Sequence, residues 1–179
     1  MGIPTLIGSA HTASNATDVS ITSGIDSTYD EYMFVMTDIG PATNNVQFSF
    51  QMNVAGGSGY NETITSSWFQ AYNNEGDSDT SLGYDTSRDQ AQGTAFQTLS
   101  YGVGNGADES CAGVLHIFSP SNTTFVTHFY ARMQNHYSGN YAMDDFIAGY
   151  FNLTGALDEI QFKMSSGNFD GVIQMYGIA

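Results

Sequence analysis

Alternation of apolar and polar residues is the dominant pattern along this 179-residue chain. The clearest case is the segment 46–54, VQFSFQMNV, in which every even position is apolar and every odd position is polar. Such alternation predicts a β-strand with one face in a core and the other in water. The segments 124–134 and 157–165 repeat the pattern, whereas runs of apolar residues at helical spacing are nearly absent.

Turn-forming residues separate these segments at short intervals. Many short strands with turn signals between them indicate an all-β sandwich or barrel. We therefore predict an all-β fold, an antiparallel β-sandwich that is jelly-roll-like, with roughly ten strands. Residues 11–179 are expected to form a single β-sandwich domain, and residues 1–10 an N-terminal arm or first strand. The predicted strands lie near 5–11, 17–23, 29–39, 46–54, 62–72, 95–102, 112–119, 124–134, 144–154 and 157–165, with a last one at 171–178.

Two of the predicted strand segments, 29–39 and 146–153, are apolar on both faces. The core of a two-layer sandwich can cover only one face of each strand. A neighbouring subunit would cover the other face, so we expect an oligomer. The alternative explanation is that ordinary protein surfaces also carry many apolar atoms.

The longest segment without a strand pattern is 73–93, NNEGDSDTSLGYDTSRDQAQG. A structureless connection of this length is unusual in a compact domain. We interpret it either as a protruding loop with a contact role or as a segment that conceals a short element. Its first part, 73–79, carries clustered oxygen ligands of the kind that bind Ca²⁺, but Ser78 stands where a calcium loop needs glycine. A solvated acidic turn is the favoured interpretation, and we predict no cofactor.

Composition narrows the range of partners. The chain has 18 acidic residues and only three cations, Arg88, Arg132 and Lys163, for a net charge of −15. With so few cations to replace counterions, direct binding to nucleic acid or to an anionic membrane is not expected. Cys111 is the only cysteine, which excludes an internal disulfide and a cysteine-based zinc site. The four histidines show no spacing typical of metal ligands.

Catalytic chemistry has little support in the sequence. Asp144-Asp145 and Asp158-Glu159 are adjacent acidic pairs beside predicted strands. Glycosidases use two carboxylates held roughly 5–10 Å apart, so this chemistry stays a remote alternative. Several aromatic side chains could stack on sugar rings, although packing in the core and at interfaces is the favoured explanation for them. These aromatic residues are Trp68, Phe69, Tyr72, Tyr130, Tyr137 and Tyr141.

Two terminal stretches carry a more specific signal. The first is ITSGIDSTYDEYMF at 21–34, and the second is FKMSSGNFDGVIQMYGI at 162–178. Together they resemble small virion structural proteins of tailed bacteriophages, especially phages of marine bacteria and cyanobacteria. The resemblance implies a non-enzymatic β-sandwich protein of the virion that is made in the bacterial host cytoplasm. The net charge of −15 and the scarcity of cations favour the outer surface of the virion over its DNA-facing lining. The absence of a disulfide framework fits assembly in a reducing cytoplasm.

Within that class, we favour a capsid decoration (cement) protein, acting as a homotrimer that stabilises the shell through contacts with the major capsid protein. The alternative is a tail component, a fibre or receptor-binding head that contacts a glycan on the host surface. A glycan-degrading enzyme is the remote third possibility. The residues assigned to partner contact are Ile3, Leu6 and Ile7 near the N-terminus, and Trp68, Phe69, Tyr72 and Tyr84 in the middle of the chain.

Overall fold

A computed structural model describes residues 2–179 of the chain and confirms the all-β prediction. Within these residues there are 14 strands and no helix that could cross a membrane. The strands are β1 (Thr5–Leu6), β2 (His11–Ala16), β3 (Asp18–Ile21), β4 (Glu31–Pro41), β5 (Val46–Val54), β6 (Ile64–Asn74), β7 (Thr80–Tyr84), β8 (Ala91–Gly93), β9 (Gln97–Val103), β10 (Cys111–Phe118), β11 (Thr127–Tyr137), β12 (Tyr141–Phe151), β13 (Leu157–Met164) and β14 (Phe169–Ile178).

The strands pair antiparallel throughout and form one strongly curled sheet. Its larger part runs β14–β4–β10–β11–β12–β6, with β1 and β2 on the free edge of β14 and β7 and β8 on the free edge of β6. Its smaller part runs β9–β5–β13–β3. The two parts join through the pairing of Tyr137 with Val103 and act as the two layers of a sandwich.

Aromatic side chains fill the space between the two layers. Phe50 of the smaller layer packs edge-on against Phe129 of the larger layer, with ring centroids 5.2 Å apart. Phe162 and Phe34 make a second contact across the layers at 5.7 Å. All four side chains are buried. Burial of each such side chain contributes roughly 1.5–3 kcal/mol, which makes this interior the main stabilising feature of the fold.

Strands β4 and β5, and strands β13 and β14, each lead from one layer to the other. Because β14 pairs with β4 and β13 pairs with β5, these four strands form a double strand folded over the core. This arrangement is the jelly-roll-like part of the fold. The turn between the last two strands lies at residues 165–168, and the β10–β11–β12 meander widens the larger layer.

Strand β5 shows where the alternation pattern was wrong. Its apolar residues enter the core as predicted, but its polar face is also buried. The Gln51 side-chain amide donates hydrogen bonds to the backbone carbonyls of Glu62 and Ala95, at 2.9 and 3.1 Å. The Asn53 side-chain oxygen accepts a hydrogen bond from the Tyr60 amide at 2.7 Å. Two connecting segments therefore cover the face that the sequence assigned to water.

The segment 73–93 conceals two strands, which confirms the second of its two interpretations. Strand β6 continues to Asn74, and β7 returns along it with Tyr84 opposite Phe69. Strand β8 then pairs with the beginning of β6, with Gly93 opposite Ile64. Every residue of β7 is exposed and β8 has only three residues, so neither shows a core-facing alternation. Together with β2, these two strands account for the difference between the eleven predicted strand segments and the 14 strands observed.

The described part of the N-terminal segment, residues 2–10, lies along the edge of the larger layer. Thr5 of β1 pairs with Gly177, and the Ile7 amide donates a hydrogen bond to the Met175 carbonyl at 2.8 Å. Met1 lies outside the described residues. The segment therefore begins as a short edge strand, and its contacts with β14 hold it against the domain.

The two terminal stretches that carry the phage resemblance meet in the fold. The Tyr32 hydroxyl donates to the Asp26 carbonyl at 2.9 Å and lies 3.0 Å from the Asp26 carboxylate, which accepts from the Thr28 amide at 2.8 Å. The Tyr29 ring lies directly over Gly177, where a Cβ atom would overlap it. These residues close the corner that leads into β4 and fix the pairing of β4 with β14.

Candidate functional site

The solvent side of the larger layer carries eight aromatic and histidine rings, called here the outer aromatic face. Directly opposite residues of antiparallel strands point to the same side of a sheet. In that register Tyr84, Phe69 and Phe146 form one row across β7, β6 and β12. Two further rows cross β10, β11 and β12. The residues of the outer aromatic face are Phe69, Tyr84, His116, Phe118, His128, Tyr130, Phe146 and Tyr150.

Stacking contacts hold these rings in place before any partner binds. Phe69 and Phe146 stack in parallel, with centroids 4.7 Å apart. His116 and Tyr130 stack at 4.5 Å. The Arg132 guanidinium lies 4.9 Å from the Phe146 ring centroid. Such cross-strand contacts contribute a few tenths to about 1 kcal/mol each and leave little side-chain freedom to lose on binding.

Exposure distinguishes this face from an ordinary solvent face of a sheet. Phe69 is 38% exposed, Tyr130 is 45% exposed and Tyr84 is 54% exposed. Leu82, the neighbour of Tyr84 on β7, is 72% exposed. The outward face of a half-buried antiparallel sheet is normally polar. A large exposed apolar patch of this kind marks an interaction surface.

The seven residues assigned to partner contact lie in three places. Phe69 and Tyr84 belong to the outer aromatic face. Ile3 and Leu6 are exposed at the N-terminal edge, whereas Ile7 packs partly against the core. Trp68 points inward and is fully buried, so it is not available for the predicted contact. Tyr72 also points inward, and it lines a cleft at the open end of the sandwich.

This cleft, called here the tyrosine cleft, has a volume of about 220 Å³. It lies where the inner face of the larger layer extends past the end of β9. Four half-buried tyrosines from four different strands line it, together with an amide, a carboxylate and a methionine. The lining residues are Gln70, Tyr72, Asp79, Tyr101, Tyr137, Tyr141 and Met143.

The four rings of the tyrosine cleft contact one another in sequence. Tyr72 and Tyr141 meet edge to face at 5.6 Å between ring centroids, and so do Tyr137 and Tyr141 at 5.7 Å. Tyr101 and Tyr137 are tilted at 5.9 Å. The Tyr141 hydroxyl donates a hydrogen bond to the Asp79 carboxylate at 3.0 Å, which raises the pKa of the phenol.

Two contacts from outside the cleft fix its rings. The Tyr137 ring lies against Gly102, which has a φ of +69°, and a Cβ atom at that position would overlap the ring. Glycine is required there both for the backbone conformation and for the close approach. The Arg88 guanidinium lies 3.7 Å from the Tyr101 ring centroid, and Asp85 holds the arginine through an ion pair of 3.8 Å.

A buried polar cluster lies behind the cleft. One oxygen of the fully buried Asp145 carboxylate accepts hydrogen bonds from the Ser100 hydroxyl, the Tyr101 amide and the Asn135 side chain, at 3.2, 3.3 and 3.2 Å. Burial is the largest cause that shifts the pKa of Asp145, and it raises that pKa to about 7. Because the side chain has no exposed surface, its role is to hold the Tyr101 backbone at the wall of the cleft.

Neither predicted acidic pair forms a two-carboxylate site. Neighbouring residues of a strand point to opposite faces, so Asp145 enters the core while Asp144 faces solvent. Asp144 binds the Arg132 guanidinium through two hydrogen bonds of 2.9 and 2.6 Å. On β13, Glu159 accepts a hydrogen bond from the Asn53 side chain at 2.8 Å, and its neighbour Asp158 lies at a bulge in the pairing of β13 with β5.

The metal and nucleophile candidates are also dispersed. Among residues 2–179 there is no group of three His, Cys, Asp or Glu side chains that could hold a metal ion. The acidic turn after β6 is organised by Asn74, whose side-chain oxygen accepts the Ser78 and Asp79 amides at 2.8 and 3.1 Å. Cys111 is buried, and burial raises the pKa of its thiol. His116 is engaged with the Glu31 carboxylate.

Comparison of the chain with protein-family models gives no match, and comparison with curated proteins gives none either. Functional inference therefore rests on the two surfaces just described and on the resemblance of the terminal stretches.

Proposed function

We propose that this protein is a non-enzymatic structural protein of a tailed-phage virion that decorates the outer capsid surface and stabilises the shell. The observation that carries the proposal is the outer aromatic face. Aromatic residues are enriched in protein–protein interfaces, and charged residues are depleted at their centres. The face includes the outward side of β12, which contains most of the segment 146–153. The sequence predicted that this segment is covered on both faces, by the core on one and by a neighbouring subunit on the other. In the proposal a neighbouring subunit of a homotrimer supplies that cover.

The N-terminal edge is the second proposed contact. Leu6, on the short strand β1 at the rim of the larger layer, is 47% exposed, and Ile3, which precedes that strand, is 86% exposed. Apolar side chains at this edge would bury against the major capsid protein, each contributing up to about 1.5–3 kcal/mol. The outer aromatic face and the N-terminal edge would therefore serve two different contacts, one between copies of this chain and one with the shell.

Charge supports a protein partner rather than a nucleic acid. All three cations are engaged within the chain: Arg88 with Asp85 and Tyr101, Arg132 with Asp144, and Lys163 above the Phe96 ring at 3.9 Å. A protein with a net charge of −15 repels DNA, which suits the outside of a capsid and not its lining.

A receptor-binding tail component is the second candidate, and the tyrosine cleft is the observation that favours it. Tyrosines around a concave site with a few polar groups are typical of ligand pockets. A fibre head would occur in few copies and would act in adsorption, whereas a decoration protein would occur in many copies and act in shell stability.

Copy number in the virion tests the proposal. We would purify particles and measure the ratio of this chain to the major shell protein by quantitative mass spectrometry. A fixed ratio with copies on the order of hundreds is expected for decoration. A copy number on the order of ten would indicate a tail component instead. Absence of the chain from purified particles would contradict both the decoration and the tail assignments.

A second test compares the heat resistance and the adsorption of particles that lack the protein with those of complete particles. Particles that lack the protein should lose infectivity at a lower temperature than complete particles while adsorbing normally to cells. The reverse result, normal heat resistance with lost adsorption, would contradict decoration.

A further inference from the structure

We propose that the tyrosine cleft binds one ring of a neutral sugar chain. This site is separate from the outer aromatic face and does not depend on where the protein lies in the virion. Its ligand is assigned from three properties of the cleft: the chemistry of its lining, its charge and its size.

The lining offers apolar ring surface beside hydrogen-bond acceptors. Tyrosine presents an aromatic body and a polar hydroxyl, and a sugar ring likewise has apolar C–H faces and a rim of hydroxyls. Asp79 supplies carboxylate oxygens, of which one already accepts from Tyr141. The Gln70 side-chain oxygen is buried and has no hydrogen-bond partner within the described part of the chain. A buried acceptor without a partner is costly, and a sugar hydroxyl could donate to it.

The charge of the cleft selects against acidic sugars. Asp79 is the charged residue of the lining, and the chain carries a net charge of −15. A carboxylated or sulfated sugar would be repelled both by this carboxylate and by the surrounding field. Neutral hexoses avoid that repulsion and can donate hydroxyl protons to the acceptors.

The size of the cleft fits a single ring. Its volume of about 220 Å³ is below the range of about 300–1,000 Å³ that is usual for pockets holding drug-sized ligands. One monosaccharide unit would enter, with the rest of the chain outside. Gly102 behind Tyr137 and Arg88 over Tyr101 hold two of the rings in place, so little ordering is needed on binding.

The test is a titration of the full chain with ring-labelled tyrosines, followed by NMR. The probes are neutral oligosaccharides of glucose, galactose, mannose and N-acetylglucosamine, with oligogalacturonate as the anionic probe. We expect at least one neutral probe to shift the four cleft tyrosines, while oligogalacturonate leaves them unchanged. A proline-rich peptide is included because aromatic grooves also bind such peptides.

Variants separate the site from the fold. Tyr141→Ala should weaken binding of the neutral probe at least tenfold, and Tyr141→Phe, which keeps the ring but loses the contact with Asp79, should weaken it less. The matched control is Tyr150→Ala on the outer aromatic face, which should bind as the wild type does. If Tyr141→Ala fails to fold, Asp79→Asn replaces it and is expected to weaken binding several-fold.

Three results would overturn the site: no neutral probe shifts the cleft tyrosines, the proline-rich peptide shifts them instead, or the cleft variants bind unchanged. Because the experiment uses the purified chain, these results would leave the copy number in the virion unaffected. The two proposals can therefore fail separately.

Discussion

The carboxyl group of Asp145 is buried in the interior, where its charged form is poorly stabilised. Its side chain lies on the inner face of β12 and is 0% exposed. All three of its hydrogen bonds reach one oxygen, and the other oxygen has no hydrogen-bond partner among residues 2–179. Burial therefore outweighs the stabilising contacts and raises the pKa of Asp145 to about 7, from an ordinary value of 3.8.

This pKa predicts a pH dependence of stability with a defined sign. Between about pH 4 and pH 7 the folded state binds a proton at Asp145 that the unfolded state has released, so the free energy of unfolding falls as pH rises. The contribution is on the order of 4 kcal/mol, from about three pH units at 1.36 kcal/mol each. Asp145→Asn should remove this pH dependence. The stability of the variant, measured relative to the wild type at the same pH, should therefore be higher at pH 8 than at pH 5.

Urea unfolding of both proteins at the two pH values measures this effect. Asp144→Asn, one residue away on the solvent face, is the control. Because the Asp144 charge contributes to the raised pKa of Asp145, its difference from the wild type should change with pH in the same direction but much less than that of Asp145→Asn. An Asp145→Asn variant whose difference from the wild type did not change with pH would contradict the assigned cause.

At the scale of single elements, the N-terminal strand is attached by few contacts. Strand β1 has only two residues, and among the apolar residues of the segment it is Ile7 that packs against the core. The side chains of Ile3 and Leu6 point into solvent, so they can be changed without opening the fold. This separation allows the shell contact to be tested without unfolding the domain.

The double variant Ile3→Ser with Leu6→Ser should melt within a few degrees of the wild type, because exposed side chains contribute little to stability. Its binding to particles that lack the protein, measured by co-sedimentation, should be lost. Phe125→Ser, at a side chain 70% exposed on a different part of the surface, is the control and should bind normally. Full binding by the double variant would exclude the N-terminal edge as the anchor.

The corner at the start of β4 shows how an element can carry a sequence signature without carrying the function. The Tyr32 hydroxyl forms a hydrogen bond with the Asp26 carboxylate, and the Tyr29 ring occupies the space that a side chain at Gly177 would fill. The stretches that resemble phage virion proteins are therefore explained by folding of the β4–β14 pair. These residues act in folding, and the outer aromatic face and the tyrosine cleft lie elsewhere on the molecule.

At the scale of the whole molecule, the curled sheet buries one face and leaves the outer aromatic face on its convex side. The proposal of a homotrimer predicts a mass in solution of about 58 kDa, three times the 19.3 kDa of the chain. Phe69→Ser combined with Tyr130→Ser should shift the protein toward the monomer in light-scattering chromatography. Both side chains face solvent, and losing their cross-strand contacts should cost only about 1 kcal/mol each.

Phe125→Ser again serves as the control, since it removes an exposed aromatic residue outside that face. A wild-type protein that elutes as a monomer at all accessible concentrations, or a double variant that stays trimeric, would contradict this role of the face.

The sequence alone determined the fold class, because alternation with a period of two is a local property of each strand. It placed the core residues of β5 and β13 correctly, together with Phe129 and Met133 of β11. Phe125, which the alternation over 124–134 put on the same face, lies before β11 and is 70% exposed. The Ser, Gly and Asn residues between the last two predicted strands marked the turn there. It also determined the acidic charge and the scarcity of cations, which no folding can change.

Only the tertiary structure decided which strands are neighbours and which faces are covered. Alternation tells which side chains share a face, but it contains no information about what lies opposite that face. For this reason Gln51 was assigned to water although connecting segments bury it, and β7 was missed because its stability depends on the edge of β6. The tyrosine cleft required the same information, because Tyr72, Tyr101 and Tyr141 come together from strands far apart in the chain.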